Sequence, residues 1–148
     1  MFDGYVVKAA VAGAITRRGS DRKSITFAEA IADGLPVKEV DGVAKVLEAD
    51  DGLDAMIGVK VRVHDGWALQ VFPQEGTVLS IGFIQVPIAE ADEPKRNQPV
   101  FFDPANNVFT TDKTKTPVRA VFAANGQADG CAEIEVVQQV AVATSAAA

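Results

Sequence analysis

Residues 76–140 alternate short β-prone runs with turn chemistry, and this rhythm limits the possible folds more than any other feature of the chain. The runs are 77–88, 98–102 with 108–111, 118–123 and 131–140. Between them lie 90–97, Asp103-Pro104-Ala105-Asn106-Asn107, 113–117 and 125–130. Val, Ile, Phe and Thr suit a pleated, half-buried surface, whereas Pro, Gly, Asn and Asp punctuate it. Regular turn spacing of this kind predicts a β-sandwich or small β-barrel of roughly eight to ten strands.

Upstream the same pattern continues. In 56–64, Ile57, Val59, Val61 and Val63 are set to point one way and Gly58, Lys60, Arg62 and His64 the other. Asp65-Gly66 then predicts a hairpin into 67–72, and 73–76 gives the next reversal. Ser24-Ile25-Thr26-Phe27 alternates as a half-buried strand does. Residues 35–37 and 43–49 are further strand candidates flanking a turn at Asp41-Gly42. Along 77–88 both faces are apolar, which predicts cover on both sides. Ala28-Glu29-Ala30-Ile31-Ala32 is the one good helix-forming stretch, and Asp33-Gly34 stops it after about one turn.

At 148 residues the expectation is an all-β, single-domain protein with an extended N-terminal arm. Its parts are 1–30 as arm and first strand, 31–140 as the β-domain, and 141–148 as a frayed tail. A chain of this length buries roughly 70% of its unfolded surface, so it needs no disulfide or metal staple. The single cysteine, Cys131, excludes an internal disulfide and fits a reducing compartment or indifference to redox state. No apolar run approaches the ~18 residues that a membrane span requires. Met1-Phe2-Asp3-Gly4 lacks the basic-then-apolar order of a signal peptide, so a cytoplasmic site of synthesis is expected.

The net charge is −6, and phosphates would be repelled overall, so neither nucleic acid nor membrane is an expected partner. Arg17-Arg18-Gly19-Ser20-Asp21-Arg22-Lys23 is the local exception, with four cations against one carboxylate. Three readings fit this loop: a solvated surface, an acidic protein partner, or nucleic acid, the last weakened by the lack of interleaved aromatics.

No constellation announces catalysis, a cofactor or a metal. His64, the only histidine, is expected on the solvent side of its strand beside a turn, with no motif to supply partners. Cys131 is flanked by Asp129, Glu133 and Glu135, which oppose thiolate formation, so it reads as a small packed residue. Asp50-Asp51-Gly52-Leu53-Asp54 fails the spacing of a calcium loop and reads as a turn. No glycine-rich phosphate loop is present.

These residues together resemble the small capsid decoration, or cement, proteins of tailed bacteriophages. The likeness is carried by 13–30, ending Lys23-Ser24-Ile25-Thr26-Phe27-Ala28-Glu29-Ala30, and by Met56-Ile57-Gly58-Val59. It is carried also by Gln98-Pro99-Val100-Phe101-Phe102-Asp103-Pro104-Ala105-Asn106-Asn107-Val108-Phe109-Thr110-Thr111, and 118–122 and 130–137 resemble the closing strands. Val118-Arg119-Ala120 departs from the family, standing where such proteins often have an Ile-Gly pair, and 50–54 matches nothing in it.

The resemblance implies a structural virion protein, not an enzyme, on the outer capsid surface. It would bind the major capsid protein lattice and itself, as a homotrimer rather than a dimer. The apolar N-terminus suggests an arm, since termini are normally polar. The capsid-contact candidates are therefore Phe2, Tyr5, Val7, Val11 and Ile15 from the arm, with Arg17, Arg18, Arg22 and Lys23 from the basic loop. The alternatives are a small-barrel enzyme, and a ligand- or carbohydrate-binding β-module in which Trp67, Tyr5 and Phe109 form a sugar platform.

Overall fold

A computed structural model describes residues 11–17, 19–27, 29–62 and 74–138. Its organising element is one 14-residue strand, β5 (Gln74–Pro87), which belongs to two sheets in turn. Before it come β1 (Asp21–Phe27), β2 (Pro36–Val40), β3 (Val43–Val46) and β4 (Met56–Lys60), and after it β6 (Pro99–Asp103), β7 (Val108–Thr110), β8 (Thr116–Phe122) and β9 (Cys131–Val136). The order is β1-β3-β2-β4-β5-β9-β8-β6-β7, and an additional β1–β5 pairing closes the first five strands into a barrel. Closure removes the exposed edges that an open sheet would leave.

The first half of β5 pairs antiparallel with β1, from Phe27↔Gln74 to Asp21↔Ile81. Its second half pairs with β9, from Gly82↔Val136 to Pro87↔Cys131. The exchange happens at Gly82, whose φ is +139°, a conformation open essentially to glycine alone. A Cβ there would stand 2.9 Å from Ser20 Cβ, so the close approach of β1's entry needs this glycine as well. The second sheet nearly closes on itself too, through a parallel bridge Ile88↔Phe109 and the bond from Ala89 N to Phe109 O at 2.9 Å.

Alternation does what a sheet with one wet face requires. In β8, Thr116, Val118, Ala120 and Phe122 are buried, and Pro117, Arg119 and Val121 are half-buried. In β9 Ala132, Ile134 and Val136 turn inward while Glu133 and Glu135 turn outward. Phe102 and Phe109 sit at the centre with ring centroids 5.4 Å apart and planes tilted by 59°. Barrel and second-sheet residues form one continuous buried cluster, from Ile25 to Val136. The β2–β3 hairpin turns through Asp41 (φ 53°) and Gly42 (φ 85°), the double positive φ of a type I′ turn.

The all-β expectation holds, as a five-stranded barrel with further strands. The helix expected from Ala28-Glu29-Ala30-Ile31-Ala32 does not form over its described part, 29–32. One turn cannot meet the nucleation cost of a helix, and burying Ile31 (8% exposed) decides the backbone there instead. The only helical element among the described residues is a 3₁₀ turn at Leu53–Ala55, overlapping the 50–54 stretch read as a turn, so no helix among those residues is long enough to cross a membrane.

The alternation expected along 56–64 fails at Lys60, which is buried with Gly58 and Val59 because β4 is covered on both faces. Its ammonium lies 2.6 Å from Asp33 Oδ1 and 5.7 Å from the centre of the Phe27 ring. The Asp65-Gly66 hairpin, the 67–72 strand and most of the 73–76 reversal lie outside the described residues, as do His64 and the 141–148 tail.

Candidate partner-binding surface

The root of the N-terminal arm is built onto β5. Gly13 N donates to Gln85 O at 2.8 Å, Gln85 N to Ala14 O at 3.0 Å, and Thr16 N to Phe83 O at 3.1 Å. Ile15 bridges Ile84 and packs against the core. Gly13 O in turn accepts from Arg62 N at 2.9 Å, which ties the segment to the end of β4. Of the expected contact residues, Val11 sits in the turn that leads into this run (Ala14 N to Val11 O, 3.1 Å), whereas Phe2, Tyr5, Val7 and Arg18 lie outside the described residues.

The remaining cations of the basic loop find partners within the chain. The Arg17 guanidinium grips Glu133 through two 3.0 Å bonds and lies 4.2 Å from the centre of the Phe83 ring. Burial pushes the Glu133 carboxyl up, but hydrogen bonds from Arg17 and Thr16 outweigh it, and the group ends below its ordinary range. Arg22 Nε donates to Ser20 Oγ at 3.3 Å, and Lys23 Nζ pairs with Glu39 at 3.3 Å. Both are exposed contacts that a partner can replace at small cost.

Carboxylates and amides hold the loops around the second sheet. Asp92 Oδ2 accepts from Thr110 Oγ1 at 2.5 Å and Thr111 N at 2.9 Å, and Gln127 Nε2 donates to Asp92 O at 2.7 Å. Asp103 Oδ2 accepts from Asn106 Nδ2 at 2.8 Å and its Oδ1 from Ala105 N at 3.1 Å. The Asn106 bond above all holds the Asp103 carboxyl below its ordinary range. Arg119 on β8 donates to Met56 O at 3.1 Å and to Val137 O, joining the start of β4 to the end of β9. The residue that departs from the expected Ile-Gly pair is thus a tie between the two sheets.

A groove of about 840 Å³ opens where barrel and second sheet meet. One wall is Glu29 and residues 45–49; the other is the 103–107 turn with Thr114 and Lys115. Thr116 Oγ1 donates to Glu48 O (3.1 Å) and Ala49 O (3.2 Å), fixing the walls together. Lys38, whose ammonium lies 2.9 Å from Asp51 and 3.1 Å from Glu48, braces the same rim, and the Asp51 bond chiefly raises its pKa.

Other expectations resolve plainly. Phe109 is fully buried and cannot form part of a sugar platform, and its suggested companions Tyr5 and Trp67 lie outside the described residues. Cys131 is buried at the start of β9. No cluster of metal-binding side chains occurs among the described residues. The roles of Glu133, Asp103, Arg119 and Lys45 were not foreseen in the sequence; only Asp103 had a local signal for its role, as an acidic residue opening a Pro-Ala-Asn-Asn turn.

The family model described as "Structural cement protein (E217 gp24/Pam3 gp6)" matches residues 3–137. A chain in the solved structure "The capsid of Myoviridae Phage XM1" shares the fold at a TM-score of 0.67 and 18% identity, covering 92% of this chain and 94% of that one. No curated protein sequence matches the chain. With its family model running through the arm root, the barrel and the second sheet, the chain belongs to the structural cement proteins of phages.

Proposed function

We propose that this protein decorates the outer face of a phage head, binding the major capsid protein lattice and stabilising the shell. Family membership across residues 3–137 carries the reading. The architecture suits it. Two sheets share one strand, closure leaves few free edges, and the loops are pinned by side-chain bonds, so the unit is stiff and presents a fixed surface. In this reading the protein transforms no substrate.

The arm adds reach. Segment 11–17 is anchored on β5; in this reading residues 1–10, with Phe2, Tyr5 and Val7, are the part that meets a neighbouring subunit. Ten extended residues span at most roughly 35 Å. Such a segment adds main-chain pairing and apolar contact to a partner's sheet edge. A homotrimer engages several sites together, and avidity then exceeds single-site affinity by about 10²–10⁴. That oligomer draws no support from exposed apolar surface: every residue of 77–88 is buried or half-buried, and Leu53 is the one exposed large hydrophobic among the described residues.

The test is to add purified protein to heads lacking it, then image them and challenge them with heat and osmotic shock. Density on the outer shell with added robustness is expected. Heads that gain neither density nor robustness would refute the reading. Deleting residues 1–10 tests the arm separately, since undiminished co-sedimentation with heads would remove it.

A further inference from the structure

We propose that the groove between the barrel and the second sheet is a docking site for an acidic polypeptide segment of the capsid lattice, captured by Lys45 and Lys115. This inference rests on the decoration reading and names the surface and chemistry through which it acts.

The chain is acidic overall, with a net charge of −6, yet the charge that remains uncommitted in the groove is positive. Two of its three carboxylates are already occupied. Glu48 is paired with Lys38 at 3.1 Å, and Asp103 accepts from Asn106 and Ala105. Glu29 is the one lining carboxylate with no ion pair among the described residues. The lysines are not occupied in this way. Lys45, exposed on β3, makes no ion pair or side-chain hydrogen bond among the described residues. Lys115 stands 4.0 Å from Asp103, at the outer limit of an ion pair, with 39% of its side chain exposed. Asp103 keeps its two shorter bonds if Lys115 turns away, so this ammonium is free to meet another acceptor.

Each wall therefore offers one ammonium to whatever lies between them. Thr116 fixes the walls to each other, so binding does not have to order the site first. Ammonium groups act as compact point charges, suited to single carboxylates along a flexible chain. Two such charges on an acidic protein are too few to hold a nucleic-acid backbone against overall repulsion. They suffice to steer an acidic segment and set its register.

The experiment measures co-sedimentation with heads lacking this protein, at low and at physiological salt. The variants are K45E/K115E, the milder K45Q/K115Q, and K95E in the 90–97 loop as a charge control outside the groove. The double reversal is expected to weaken binding at low salt by roughly tenfold or more, the neutral pair by less, and K95E by under about twofold. The salt dependence of binding should flatten in both double variants. Unfolding midpoints within a few degrees of the parent would show that the fold survives. Binding by both double variants at parental strength, or an equal loss in K95E, overturns the groove while leaving the decoration reading intact. Failure of the parent protein to bind heads overturns both.

Discussion

Arg17 and Glu133, 116 residues apart in the chain, meet as a two-pronged pair: Nε to Oε2 and Nη2 to Oε1, each 3.0 Å. Thr16 Oγ1 adds a 2.5 Å bond to the same carboxylate. Arg17, one of the proposed capsid-contact residues, thus secures the arm root to the outer face of β9. Planar guanidinium and carboxylate match in this geometry, which an ammonium does not reproduce.

Arg17→Ala should therefore loosen segment 11–17 without unfolding the protein. Amide exchange at Ile15 and Thr16 is expected to accelerate, with little change in the unfolding midpoint because the pair is partly exposed. Arg17→Lys should rescue this only in part. Unchanged protection in Arg17→Ala would show that the main-chain bonds to β5 hold the segment alone.

Acid should release the same contact. Glu133 is held below its ordinary value of 4.5, so the stability it contributes is complete above that pH. The contribution fades as pH falls from there through the folded-state value. Asp51, Asp103 and Asp112, also lowered, follow the same sign. The unfolding midpoint should be flat near neutrality and fall below about pH 4.5, and Glu133→Gln should shrink that fall. A Glu133→Gln profile that overlays the parent's would contradict the assignment.

Phe109→Ala should cost about 3–5 kcal/mol, since its fully buried ring is packed against Phe102 and the site is too crowded to collapse. Denaturant unfolding gives this directly; a cost under about 1 kcal/mol would mean the centre is looser than the ring contact implies.

Gly82→Ala should destabilise by about 1–3 kcal/mol, through a φ of +139° and a Cβ placed 2.9 Å from Ser20. The companion change Gly42→Asn, in a turn where a Cβ meets nothing, should be mild. Equal effects in the two variants would remove the special role given to the strand crossover.

Arg119→Ala should cost about 1–3 kcal/mol by stranding the carbonyls of Met56 and Val137, and Arg119→Lys should recover little. Full recovery by lysine would show that charge matters there and shape does not.

What could be read in the sequence follows the range of the forces involved. The runs that became β5, β6, β7, β8 and β9 were legible because alternation and turn residues act over a few positions. Asp41-Gly42 was legible for the same reason, as was Asp103 opening its turn. The pairings were not. Nothing near Arg17 points to Glu133, and nothing near β1 predicts that it closes a barrel against the first half of β5. Lys60 was misread because alternation assumes one wet face, and β4 has none. Helix propensity at 28–32 failed against the burial of Ile31. The groove escaped because residues 45–49 and 103–116 become neighbours only after both sheets form.

Because β5 runs unbroken through both sheets, tension between the barrel and the second sheet travels along a covalent backbone. Pulling them apart means sliding a whole ladder of hydrogen bonds sideways at once, where a hinged pair of lobes would open like a zip. A load that draws the barrel and the second sheet apart along this strand is therefore met by a covalent chain as well as by packing.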